Sequence, residues 1–139
     1  MILFRWLTGM VLSCLALGQA RLSDKDVEAL MKNLKEDSKK FKSSFDSAVG
    51  KSTVRKTSKE KDGKALVTRF AKQTEGMLNH FRDKKKGDTE LQAVLRSSDQ
   101  IEAFLTEVSM SSNTGADWEK VKAELNALSD AFGLGRSPK

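Results

Sequence analysis

Apolar positions along this chain fall into four stretches with helical spacing, separated by short polar breaks. From Asp24 to about Ala48, the residues Val27, Leu30, Met31, Leu34, Phe41, Phe45 and Ala48 follow the i, i+3, i+4, i+7 rhythm of one helix face, with Ser38 interrupting the stripe. Ser23, with Asp26 three residues on, predicts the N-cap, and Gly50 predicts the stop. Residues 51–57 are polar and basic with one valine, and predict a connection. Thr57 and Glu60 then form a capping-box pattern that opens a second helix running to about Lys84. Its stripe is Leu66, Phe70, Thr74, Met77 and Phe81, widened by Val67, Ala71 and Leu78. Gly63 and Gly76 each weaken this helix by up to about 1 kcal/mol relative to alanine, so packing has to hold it.

Lys84-Lys85-Lys86-Gly87-Asp88 marks the next break, its cations opposing the negative end of the helix dipole. Thr89 with Gln92 predicts the cap of a third helix, whose apolar face is Leu91, Val94, Leu95, Ile101, Phe104, Leu105 and Val108, ending near Ser109. Ser111-Ser112-Asn113-Thr114-Gly115 breaks the chain again, and Thr114 with Asp117 predicts the fourth cap. That helix presents Trp118, Val121, Leu125, Leu128 and Phe132 before Gly133 stops it. No alternating strand pattern appears anywhere. The expectation is all-α: a single antiparallel up-down-up-down four-helix bundle over residues 21–133, with a flexible tail at 134–139.

The first twenty residues break with this pattern. Arg5 precedes an apolar run from Trp6 to Leu17, and Gly18-Gln19-Ala20 offers small residues at −3 and −1 for a signal peptidase. The run falls short of the about 20 residues that cross a bilayer. Residues 1–20 therefore read as a cleaved signal peptide, with a mature chain that starts at Arg21 and is periplasmic or extracellular. Removing them from 139 residues leaves 119, enough for one compact domain. Cys14, the only cysteine, lies inside this leader, so the mature chain has neither disulfide nor thiol. Val11-Leu12-Ser13-Cys14 loosely matches a lipobox, but Leu15-Ala16-Leu17 carries the apolar run past the cysteine and argues against a lipoprotein.

Charge is uneven. Residues 51–86 carry twelve Lys/Arg against four Asp/Glu, whereas residues 87–139 carry five against nine. The basic stretch from Lys51 to Lys64 and the Lys84–Lys86 cluster are the features with a functional slant. In an alternating bundle they lie at opposite ends, so the positive charge would run along helix 2. Such a stripe suits a polyanion: extracellular nucleic acid, an anionic lipid surface or a cell-envelope polymer. No aromatic residues are interleaved with the cations, so base stacking lacks its platform. The bland alternative is a solubilising basic face balanced by acidic helices 3 and 4.

At the fourth helix, Asp117-Trp118-x2-Val121-x3-Leu125-x2-Leu128-x2-Ala131-Phe132 resembles the closing segment of a family of small secreted helical proteins of environmental bacteria, with the pattern DW-x2-[V/L]-x3-L-x2-L-x2-A-[Y/F]. The similarity extends to Phe41-Lys42-x2-Phe45-Asp46 and Val67-x2-Phe70. The family has no assigned activity, so the resemblance implies a helical fold and export, and no functional residue.

Reactive groups are few. His80 is the sole histidine, which leaves zinc without its usual ligands, and no Glu-x-x-His pair exists for a diiron site. A haem-binding bundle using His80 with Met31 is the alternative reading, with Met77 one turn from His80. Against it, both methionines fall in the apolar stripes and no C-x-x-C-H attachment occurs. Hydrolase and phosphate-cradling signatures are missing. Acid pairs such as Glu36-Asp37 read as solvated helix faces, and Trp118 as a core plug whose indole N–H finds a carbonyl or water. An oligomer would follow if the stripe Leu91, Val94, Leu95, Phe104 and Leu105 were only partly covered. The function expected is thus an exported, non-enzymatic helical interaction protein without a cofactor. Its partner would be a polyanion or another envelope protein, met through Lys51, Arg55, Lys56, Lys59, Lys61, Lys84, Lys85 and Lys86.

Overall fold

A computed structural model describes residues 22–134, which form four helices and, among the described residues, no strand. They are α1 (Asp24–Val49), α2 (Ser58–Lys84), α3 (Asp88–Glu107) and α4 (Ser112–Ala131). The expected leader at 1–20, with Cys14, and residues 135–139 of the expected tail lie outside the described residues.

Each helix buries one narrow seam. On α1 the buried positions are Val27, Met31, Leu34, Ser38, Phe41, Phe45 and Val49, and on α4 they include Thr114, Trp118, Val121, Leu125 and Leu128. This alternation of three and four residues is close to the 3.5-residue repeat of helices packed side by side. Ser38 therefore does not interrupt the stripe but belongs to it. It is fully buried and its hydroxyl has no hydrogen-bond partner, so a small side chain is tolerated there for its volume. Helix α1 packs against both α2 and α4, and α2 also packs against α3. Five aromatic rings fill one half of the core. Trp118 lies 4.8 Å from Phe41 and 5.7 Å from Phe70, and Phe45 lies 5.8 Å from Phe41 and 5.5 Å from Phe104, centroid to centroid. Toward the other end Phe81 meets Phe132 at 6.5 Å.

The helix ends follow tertiary contacts as much as local signals. Ser23 caps α1 as expected, its Oγ accepting from the Asp26 N–H at 3.1 Å. Gly50 stays right-handed at φ −70°, and the chain leaves α1 through successive turns instead of a left-handed stop. Thr57 caps α2, but the reciprocal bond is displaced by one residue: the Glu60 carboxylate accepts from the Lys56 N–H at 2.6 Å. Lys56 reaches that position at φ 64°.

Two expected caps are corrected. Helix α3 starts at Asp88, with Gly87 at the N-cap and no side-chain bond there, so Thr89 sits within the first turn. Gly87 is placed by packing: a Cβ on it would stand 3.1 Å from Cε of Met31. Helix α4 is capped by Ser111, whose Oγ accepts from the Thr114 N–H at 3.3 Å. Thr114 is buried inside the helix, its hydroxyl donating to the Ser44 carbonyl at 3.3 Å. At the far end, Gly133 (φ 69°) reverses the chain. Its N–H bonds Asp130 O, and the Leu134 N–H bonds Ser129 O, satisfying the last carbonyls. Leu134, expected in the tail, thus closes α4 and packs on the core.

Candidate functional site

The apolar stripe considered for self-association is covered. Leu91 and Val94 are fully buried and Phe104 nearly so, while Leu95 and Leu105 are partly buried against the core. Among the described residues the only large apolar side chain left exposed is Leu22, and no helix is long and apolar enough to cross a membrane. The surface is therefore distinguished by its charge.

The basic residues begin in the connection after α1. Lys51, Arg55, Lys56 and, on α2, Lys61 are exposed and take part in no ion pair among the described residues. The connection itself is firm: Ser52 Oγ donates to Val49 O at 2.8 Å and accepts from the Val54 N–H at 3.2 Å. Glu60 is committed to the start of α2. The Lys56 N–H and then the Lys64 ammonium, 3.2 Å away, hold its carboxyl below the usual range. Lys59 differs from its neighbours: it pairs with Glu107 and stands 5.4 Å over the Phe104 ring, tying α2 to α3.

Farther along α2, the outward face carries Lys64, Arg69 and Lys72 around Ala65 and Thr68. Arg69 donates to Gln100 Oε1 at 3.1 Å, and Gln73 accepts from Ser97 at 2.6 Å, so this face is braced from α3. Arg69 and Lys72 were not singled out by sequence, because they stand alone in a mixed stretch instead of in a run. Helical period, not local density, brings them beside Lys61 and Lys64.

The cluster Lys84, Lys85 and Lys86 lies at the other end of α2, and is exposed. Lys84 is 3.9 Å from Asp83, and Lys85 takes the left-handed position (φ 58°) that ends the helix. The Lys85 ammonium reaches the Arg82 carbonyl at 3.5 Å and lies 5.9 Å over the Phe81 ring. Arg82 is bound to Glu28 of α1 at 2.8 Å, which lowers the Glu28 carboxyl. The structure thus groups Lys61, Lys64, Arg69 and Lys72 on one side of α2, leaves Lys51, Arg55 and Lys56 in the connection before it, and sets Lys84–Lys86 apart as a helix terminus.

The residues weighed for cofactor chemistry occupy different environments. Met31 and Met77 are fully buried packing residues, whereas His80 is partly exposed with Nδ1 3.7 Å from Glu90 of α3. Among the described residues no group of three or more His, Cys, Asp or Glu is arranged to hold a metal.

Asp117 and Trp118, which carry the family-like pattern, have structural partners. Asp117 accepts from the Ser44 hydroxyl of α1. Trp118 is 3% exposed, and its indole N–H goes to the Glu102 carboxylate of α3 at 2.7 Å, where a carbonyl or water was expected. Lys122 adds a second contact to Glu102 at 3.3 Å and one to Glu119 at 3.2 Å. Desolvation pulls Lys122 down, but these two carboxylates outweigh it and raise its pKa.

One acid pair is more than a solvated face. Glu124 of α4 is pushed up to about 8, by burial first and then by a hydrogen bond and repulsion from Asp37 of α1, with Lys120 opposing. Its Oε1 is buried without a hydrogen-bond partner. A neutral carboxyl that donates a hydrogen bond to Asp37 fits this position. Comparison with protein families, curated proteins and solved structures finds no match to this chain.

Proposed function

We propose that this chain is an exported, non-enzymatic interaction protein that engages polyanionic partners through the basic face of α2 and the connection preceding it. The fold behind this reading is an antiparallel up-down-up-down four-helix bundle. Three links support it: Arg82 near the end of α2 pairs with Glu28 near the start of α1, Lys59 near the start of α2 with Glu107 at the end of α3, and Ser44 late in α1 with Asp117 early in α4. Export rests on the hydrophobic leader at residues 1–20.

The observation that carries the function is the state of the cations. Lys51, Arg55, Lys56 and Lys61 are exposed and make no ion pair among the described residues, and the acids nearest them in sequence are few, with Glu60 held by the Lys56 N–H and the Lys64 ammonium. Exposed cations in excess on a firm connection and the helix it opens attract anionic polymers, which release their counterions on contact. The test is retention on immobilised heparin as salt is raised. Replacing Lys51, Arg55, Lys56 and Lys61 by glutamine is expected to bring elution to markedly lower salt. Retention unchanged by the four substitutions rejects this contact surface, and a native chain that does not bind rejects the function.

A further inference from the structure

The basic surface has one place where cations surround a floor instead of standing in a row. Taking 100° per residue, Lys61, Ala65, Thr68 and Lys72 share one outward line on α2, with Lys64 on one flank and Arg69 on the other. The two small side chains leave a shallow depression lined by Lys64, Ala65, Thr68, Arg69, Lys72 and Gln73. Its α3 side is braced by the Arg69–Gln100 and Gln73–Ser97 hydrogen bonds, the first of which orients the guanidinium before any ligand arrives. One N–H of Arg69 is used by Gln100, leaving further donors in its fork. Lys64 is shared with Glu60, whereas Arg69 and Lys72 make no ion pair among the described residues. Asp62 lies within this cationic segment, between Lys61 and Lys64, and Glu75 follows its last cation.

We infer that this depression seats the phosphate or sulfate groups of a linear polyanion, with Lys61, Lys64, Arg69 and Lys72 as the contact set. The site deepens the function proposed above and depends on it. Eleven helical steps from Lys61 to Lys72 span about 16 Å, a length suited to successive charged groups of one strand. A polymer is favoured over a bilayer because the rim lacks apolar anchors. Helices that lie on membranes set Trp, Phe or Leu beside their cations. Here the one exposed large apolar residue among those described, Leu22, precedes α1. The Lys84–Lys86 cluster offers no comparable floor: it follows a helix end, and Lys85 is turned back onto Phe81 and Arg82.

The test titrates the ¹⁵N-labelled protein with inorganic polyphosphate at several salt concentrations, alongside two charge-matched triple variants. In the native chain the amides of Ala65, Thr68, Arg69 and Lys72 are expected to shift most. The variant Lys64→Gln/Arg69→Gln/Lys72→Gln is expected to bind at least about tenfold more weakly, with a log–log salt slope shallower by roughly two to three. Lys84→Gln/Lys85→Gln/Lys86→Gln is expected to change affinity less than about twofold. Equal losses in the two variants, or shifts centred elsewhere, overturn the site and leave the polyanion function standing. No binding by the native chain to polyphosphate or heparin overturns that function itself. A parallel arm uses phosphatidylcholine vesicles containing phosphatidylglycerol: binding to these without binding to polyphosphate assigns the face to a membrane and overturns the polymer. The amide map of the native chain decides the site even if a variant loses helicity.

Discussion

A Cβ placed on Gly63 would stand 2.6 Å from Cζ of Phe104, closer than carbon atoms approach without something moving. The absent side chain lets the first turns of α2 lie against the ring of α3, with Phe45 Cζ only 3.1 Å from the same point. Gly76, on the same helix, has nothing within 4 Å of its Cβ position. Two identical substitutions should therefore act in opposite directions. Gly63→Ala is expected to cost about 1–3 kcal/mol through overpacking. Gly76→Ala should stabilise by up to about 1 kcal/mol by restricting the unfolded chain. Urea denaturation of the two variants measures both, and a shared sign would contradict the packing described.

Glu102 is the acceptor for both Trp118 Nε1 and the Lys122 ammonium. Removing it leaves a buried indole N–H and a half-buried cation short of partners. Glu102→Ala is expected to lower stability by about 1–3 kcal/mol. Trp118→Phe keeps most of the ring contact with Phe41 and Phe70 but gives up the bond, so combining the two changes should cost less than their sum. A double-mutant cycle in urea checks this, and strict additivity would remove the Glu102–Trp118 coupling.

Glu124 gives the fold a dependence on pH of a definite sign. Its carboxyl is raised from 4.5 to about 8 in the folded chain, so between these values the folded state holds a proton that the unfolded state has released. That contribution is fully present below 4.5 and is lost as pH rises through about 8. Glu28 and Glu60, whose carboxyls are lowered, act oppositely: their contribution is present above 4.5 and fades in acid. Both lie at the surface and are partly exposed, where such effects are small. The urea midpoint should thus fall between about pH 5 and pH 9, and Glu124→Gln should flatten the fall. A native profile equally flat over that range would show that Glu124 ionises normally.

The four seams could be read from sequence because three- and four-residue spacing is a property of the helix itself. The apolar set expected for α4, from Trp118 to Leu128, is the set that is buried. Caps were less legible. Thr89 and Thr114 both stand three residues before a residue able to complete a cap, but Gly87 is fixed by Met31 and Thr114 by Ser44, contacts distant in sequence. The basic connection was visible as a run of like charges, and Lys84–Lys86 equally so. What separates them is position along α2. Arg69 and Lys72 emerged only when the helix set Lys72 in line with Lys61 and Arg69 on its flank, and Asp37 found Glu124 across 87 positions of chain, which no local pattern encodes.

Asp117 and Trp118 are consecutive, yet one is fastened to Ser44 on α1 and the other to Glu102 on α3. Adjacent residues on a helix point about 100° apart, so these two act like a pair of pegs set at an angle in one rod. Rolling α4 about its axis, or sliding it by a turn, withdraws both pegs at once. The orientation of α4 is consequently set from within the packed helices, and the short link before it at residues 108–111 is itself tied in, with Val108 buried and Ser111 capping the helix.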